Sequence, residues 1–173
     1  LVRPTAGRNV GLFMQFIGRR YVPYVNHKYG KRGSVWEGRY NTSLVQEDIY
    51  VLTLMIYIEL NPVTADMVKE PSEYAWSSYH INALGKQSKL CTPHKLYLQL
   101  GKNDKERQAH YRELFKGHVL EAKLIEDIEK ATLKGMALGS DRFKEEIEAI
   151  TGRRVVSKNR GRPQGWRKKK FDS

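Results

Sequence analysis

Tyr57-Ile58-Glu59-Leu60-Asn61-Pro62-Val63 closes an apolar run that ends on a proline. Upstream of it, Glu47 and Asp48 place negative charge where a helix N-terminus favours it. Ile49, Val51, Leu52, Leu54, Met55, Ile56, Ile58 and Leu60 follow. Set at about 100° per residue, these side chains ring the helix almost completely. Only Glu59 clearly interrupts the ring, so the helix is expected to be buried on several sides. One sector carries Tyr50, Tyr57 and Asn61 together, flanked by Thr53 and Leu54. Pro62 lacks a backbone donor and is expected to stop the helix at about Leu60 or Asn61.

Tyr57 and Asn61 are four residues apart, and on a helix they point the same way. The pair admits two readings. In one, Tyr57 is a core tyrosine and Asn61 caps the helix before the proline. In the other, the phenol is a nucleophile beside a divalent metal. The metal would polarise a phosphate, and the phenol would attack and hold the strand as a phosphotyrosine. Asparagine offers a neutral oxygen ligand suited to Mg²⁺ or Mn²⁺. Spacing alone favours the first reading.

Before this helix, Asn9 is a good N-cap, and Val10, Phe13, Ile17 and Tyr21 follow at helical spacing. Pro23 falls within the pattern and is expected to kink or divide the helix near Val22. Residues 26–33 read as a basic, glycine-punctuated loop. Residues 34–45 read as extended, because Val35, Trp36, Tyr40, Thr42, Leu44 and Val45 favour strands.

After Pro62, residues 71–79 form an aromatic segment, 84–93 a loop, and 96–100 a short helical piece. From Asp104 on the periodicity is wholly helical. Helices are predicted over 104–115, 120–133 and 141–151, the last capped by Ser140 and stopped by Gly152. The last two, joined by a glycine turn, have a helix-turn-helix shape. Residues 153–173 are nearly devoid of apolar side chains, and a disordered basic tail is expected. Arg160-Gly161-Arg162-Pro163 has the core of an AT-hook, which lays arginines into the minor groove of A·T-rich DNA.

The chain has 173 residues and a formal net charge of +12. Residues 1–39 hold eight Lys or Arg against Glu37, a net +7, and residues 153–173 hold nine against Asp172, a net +8. The middle is slightly acidic. Basic excess confined to two ends is the footprint of a polyanion-binding protein. Arg19, Arg20, Lys31, Arg32, Arg39, Arg153, Arg154, Arg160, Arg162, Lys168, Lys169 and Lys170 are the expected phosphate contacts. Trp36 and Tyr40 are candidates for base stacking, though packing in a sheet is the ordinary use of such rings. The one cysteine, Cys91, excludes an intramolecular disulfide and fits a reducing, cytoplasmic setting. No stretch approaches the ~20 apolar residues of a membrane helix.

Five motifs stand in order along the chain: Gly18-Arg19-Arg20-Tyr21, the run from Tyr29-Gly30-Lys31-Arg32-Gly33 through Trp36-Glu37-Gly38-Arg39-Tyr40, Ser43-Leu44-Val45, the opening heptapeptide, and Trp76-Ser77-Ser78-Tyr79. Together they resemble the REP-associated tyrosine transposases of the HUH single-strand nuclease superfamily. The likeness is close over about residues 1–100 and looser to Gly161-Arg162-Pro163. It implies an α+β fold: an incomplete ferredoxin-like HUH domain (an antiparallel sheet with helices) over residues 1–100. A mainly helical region over 101–152 and the basic tail would follow. It also implies cleavage of single-stranded DNA beside hairpins. Tyr57 matches the tyrosine that becomes joined to a 5′ phosphate, and Asn61 matches the polar residue that helps hold the metal.

The family's other metal ligands are a His-hydrophobe-His pair on a central strand. Leu1-Val2 resembles the residues that follow that pair, so the resemblance places it before residue 1 and implies that the opening strands are missing as well. None of the five histidines has this spacing. The expectation is a chain that binds DNA poorly or moderately and cuts it badly or not at all, with an apolar sheet edge or face left open. A non-catalytic DNA-binding protein or decayed transposase remnant is the alternative. RNA binding fits the charge but not the ordered motifs. The residues do not decide between monomer and dimer.

Overall fold

A computed structural model describes residues 1–7, 9–117 and 122–156. Among them are α1 (Asn9–Tyr29), α2 (Glu47–Thr64), α3 (Tyr79–Asn82), α4 (Lys95–Leu98), α5 (Asp104–Gly117), α6 (Ala122–Lys134) and α7 (Asp141–Thr151). A 3₁₀ turn at Pro71–Glu73 lies between α2 and α3. No helix among the described residues is long and apolar enough to cross a membrane.

α2 is the axis of the core, as its apolar ring requires. On one side Leu54 packs with Ile128 and Ala131 of α6 and with Leu138, and Tyr50, Tyr57 and Leu124 close the edges. On the other side Leu52 and Met55 meet a cluster built on Ala83, Tyr97 and Tyr111. Tyr97–Tyr111 and Tyr111–Phe115 meet edge-on with centroids 5.5 Å apart, and Tyr79–Phe115 at 5.0 Å. These are favoured aromatic geometries.

The α+β expectation is overturned: the described residues contain no sheet. Residues 34–45 have strand propensity, but propensity of this kind is realised against a neighbouring strand that pairs the backbone. The segment instead folds along α1. Trp36 stacks on Tyr21 with centroids 5.7 Å apart, and the Ser34 hydroxyl donates to the Trp36 carbonyl at 2.8 Å. Only its end pairs. Val45 forms an isolated parallel bridge with Leu138, through Leu138 N–H to Leu44 carbonyl and Gln46 N–H to Leu138 carbonyl, both 2.8 Å. The expected open sheet edge is therefore absent among the described residues. α1 buries none of its residues, and Leu12, Phe13, Phe16, Tyr21, Tyr24 and Tyr29 are among the exposed apolar side chains of the molecule.

Both internal prolines behave differently from expectation. α1 runs through Pro23 undivided and takes up residues 26–29. α2 runs through Pro62 to Thr64, so Asn61 is not its cap. The proline φ suits a helix, and the cost is one lost donor to the carbonyl four residues back. For Pro62 that carbonyl belongs to Ile58, which lies on the exposed side of α2. The chain then turns tightly, with Ala65 N–H on the Asn61 carbonyl and Met67 N–H on the Pro62 carbonyl, both 2.9 Å.

The C-terminal helices follow the sequence closely. The Ser140 hydroxyl accepts from Phe143 N–H at 3.2 Å and caps α7. Gly152 ends α7 at φ 61°, a left-handed conformation suited to glycine.

Candidate functional site

Tyr57 and Asn61 do lie side by side on α2. With Leu60 and Thr64 of the same helix and Ile125 and Glu129 of α6, they line a cleft of about 220 Å³. Tyr57 is half-buried and Asn61 exposed. A second cleft along the same α2–α6 seam takes Tyr50 and Thr53. The sector expected from α2 is thus split between two openings, with Leu54 packed beneath.

The electrostatics of the first cleft do not ready the phenol for attack. Burial holds the Tyr57 pKa above its ordinary value, and the Glu129 carboxylate raises it further. A hydrogen bond with Asn61 acts weakly in the opposite sense. At neutral pH the phenol keeps its proton. Among the described residues, Glu129 is the one carboxylate lining this cleft. It escaped the sequence reading, although Ile125 and Glu129 are four apart on α6 and so share a side of that helix.

The residues present do not fit a bound divalent ion. Among the described residues the cleft offers one carboxylate, one amide and two neutral hydroxyls, whereas Mg²⁺ or Mn²⁺ wants a near-octahedral oxygen set. The described residues hold no group of three or more His, Cys, Asp or Glu that could ligate a metal. The described histidines lie elsewhere. His94 caps α4 and pairs with Glu47 at 3.0 Å, His110 bonds the Leu100 carbonyl, His80 is on α3, and His27 is on α1.

Glu59, on the opposite side of α2, is fully buried and anchors the helix. Its Oε1 accepts from the Ser78 hydroxyl at 2.6 Å and from the Asn82 amide at 3.2 Å, and its Oε2 accepts from the Tyr111 hydroxyl at 3.0 Å. The Tyr97 hydroxyl donates to the Asn82 carbonyl at 2.9 Å, and Arg112 donates to the Ala83 carbonyl. Burial raises the Glu59 pKa, and its three donors oppose the rise. The Tyr111 phenol is pushed far upward by burial and by the Glu59 charge. This network ties α2 to α3 and α5 and so fixes which side Tyr57 faces. It also gives Ser78, from the Trp76-Ser77-Ser78-Tyr79 motif, a structural task.

The expected DNA contacts sit on α1 and the segment after it, apart from the cleft. Arg19, Arg20, Lys31, Arg32, Trp36 and Arg39 are all exposed, and none lines the Tyr57 cleft. None of the five cations among them forms an ion pair within the described residues. Trp36 and Tyr40 lie against α1 rather than in a sheet, the Tyr40 hydroxyl close to Gly11 and the Trp36 indole close to Gly18. Arg153 and Arg154 are exposed just beyond α7. Arg160, Arg162, Lys168, Lys169 and Lys170, with the AT-hook sequence, lie outside the described residues. Comparison with family models, with curated proteins and with solved structures finds no match for this chain.

Proposed function

We propose that this chain is a DNA-handling part of a tyrosine transposase of the REP-associated kind, binding single-stranded hairpin DNA, with Tyr57 as the strand-transfer nucleophile. The supporting observation is the Tyr57–Asn61 pair facing an open cleft on a helix that Glu59 locks from behind. The reading rests on the site and the ordered motifs, not on a shared sheet. Attack by the phenol would join its oxygen to phosphorus and break the phosphorus bond to the 3′ oxygen, which leaves with the bonding pair and takes a proton from water to become a 3′ hydroxyl. The phenolic proton must leave, and Glu129 is the acceptor lining the cleft. Phosphate would have to approach that same carboxylate. With no complete metal set among the described residues, binding without cleavage is the expected behaviour of this chain.

A labelled single-stranded hairpin, titrated by fluorescence anisotropy with Mg²⁺ present, tests this. Affinity should fall steeply with salt, as counterion release requires, and denaturing gels should show no covalent adduct. Failure to bind the hairpin overturns the proposal. An adduct that persists in Tyr57→Phe overturns the nucleophile.

A further inference from the structure

α1 carries a surface that the cleft does not use. One side of the helix is covered by Trp36 and Tyr40. The other is open. At about 100° per residue, Phe13, Phe16, Arg20 and Tyr24 fall within a sector of about 80°. Phe13, Phe16 and Tyr24 are 47%, 57% and 55% exposed. The cations are interleaved with the rings. The Arg20 guanidinium lies over Phe16, 4.6 Å from its centroid, and the Lys28 ammonium is 5.6 Å from the centroid of Tyr24. From residue 13 to residue 28 the stripe is about 22 Å long.

The composition of the stripe restricts what can cover it. An apolar protein face would strip water from Arg20 without neutralising it, which is costly for an unpaired charge. Residues 1–36 contain no Asp or Glu, and neither Arg20 nor Lys28 forms an ion pair within the described residues. The occupant must therefore bring both flat apolar faces and regularly spaced negative charge. A duplex hides its base faces in the stack. An unpaired strand offers a π-face and a phosphate at each nucleotide.

We infer that the open face of α1 is a stacking platform for single-stranded DNA, with Phe16 and Tyr24 taking base faces and Arg20 and Lys28 taking phosphates. The inference rests on the proposed DNA-binding reading and adds a place and a mode, away from the Tyr57 cleft.

The test uses the full chain and fluorescein-labelled oligothymidylate, which has no hairpin, beside a blunt duplex and oligouridylate of equal length. The parent should bind oligothymidylate more tightly than the duplex. Phe16→Ala/Tyr24→Ala should weaken that binding roughly ten- to a hundredfold at unchanged helix content. Phe16→Tyr/Tyr24→Phe, which keeps both rings, should bind as the parent does. Parent-like affinity in the alanine pair overturns this inference alone, as does an equal loss in the ring-preserving pair. Tighter binding of the duplex or of oligouridylate also overturns it. A parent that binds neither oligothymidylate nor the hairpin overturns the proposed function as well.

Discussion

At Glu59 a carboxylate without exposure to water rests on three neutral donors, Ser78, Asn82 and Tyr111. Its pKa in the fold is raised above the ordinary 4.5. The folded state thus keeps a proton that the unfolded chain releases. The contribution to stability is complete below the unfolded value and is lost as pH rises through the folded one. Glu59→Gln removes this dependence and keeps an oxygen for Ser78 and Asn82, while the Tyr111 hydroxyl can turn to accept. Urea unfolding from pH 4 to 8 should show the parent losing stability relative to Glu59→Gln as pH rises. Glu59→Leu orphans the buried Asn82 and Tyr111 and the half-buried Ser78, and should cost about 3 kcal/mol or more. A parent and a Gln variant that run parallel in pH would mean that the buried carboxyl does not titrate in this window.

Tyr57 answers to a second carboxylate. Because Glu129 raises the phenol pKa, Glu129→Gln should lower it. The phenolate absorbance difference between each protein and its Tyr57→Phe counterpart isolates this one tyrosine. The midpoint should move to lower pH in the Gln background. No movement would place Glu129 too far from the phenol to be its proton acceptor.

Among the elements, α7 shows how two glycines with different duties respond to one substitution. Gly152 sits at φ 61° with nothing within 4 Å of where a Cβ would be, so Gly152→Ala meets only backbone strain. About 1 kcal/mol is expected. At Gly139 a Cβ would fall 2.2 Å from Cδ1 of Phe143, so the ring must move or the turn must open. Gly139→Ala should cost more than Gly152→Ala, read as the order of their urea midpoints. The reverse order would show that the Phe143 ring yields freely.

The helix ends around α7 were legible because capping is local: Ser140 and Gly152 carry their own signals. α2 was legible as a buried helix for the same reason, since its apolar ring is periodic. Its end was not. Pro62 announces a missing donor, but whether the freed carbonyl of Ile58 can meet water depends on which side of the helix faces out. The segment 34–45 failed differently. Strand propensity is conditional on a partner, and the presence of a partner is not written in the segment itself. Tyr57 and Asn61 were legible as neighbours through their spacing. Glu129 reaches them only because α6 folds back on α2, and nothing within its own helix announces that.

For the molecule as a whole, the core is built around α2 with contributions from α3 to α6, while α1 lies outside it. The two apolar clusters draw no residue from α1, and the helix buries none of its own. An isolated helix of this length is marginal in water and owes its order to packing. Opening of α1 should therefore cost much less than opening of α2, since local stability follows local burial. Amide hydrogen exchange should find the α1 amides protected far less than those around Leu54 and Ile56. Saturating oligothymidylate should then slow exchange in α1 selectively, because a ligand that binds the folded helix adds its binding free energy to the opening cost. Slowing confined to the α2–α6 seam would move the DNA to the Tyr57 cleft. Protection of α1 equal to that of α2 without DNA would show that this helix is held by more than the contacts with Trp36 and Tyr40.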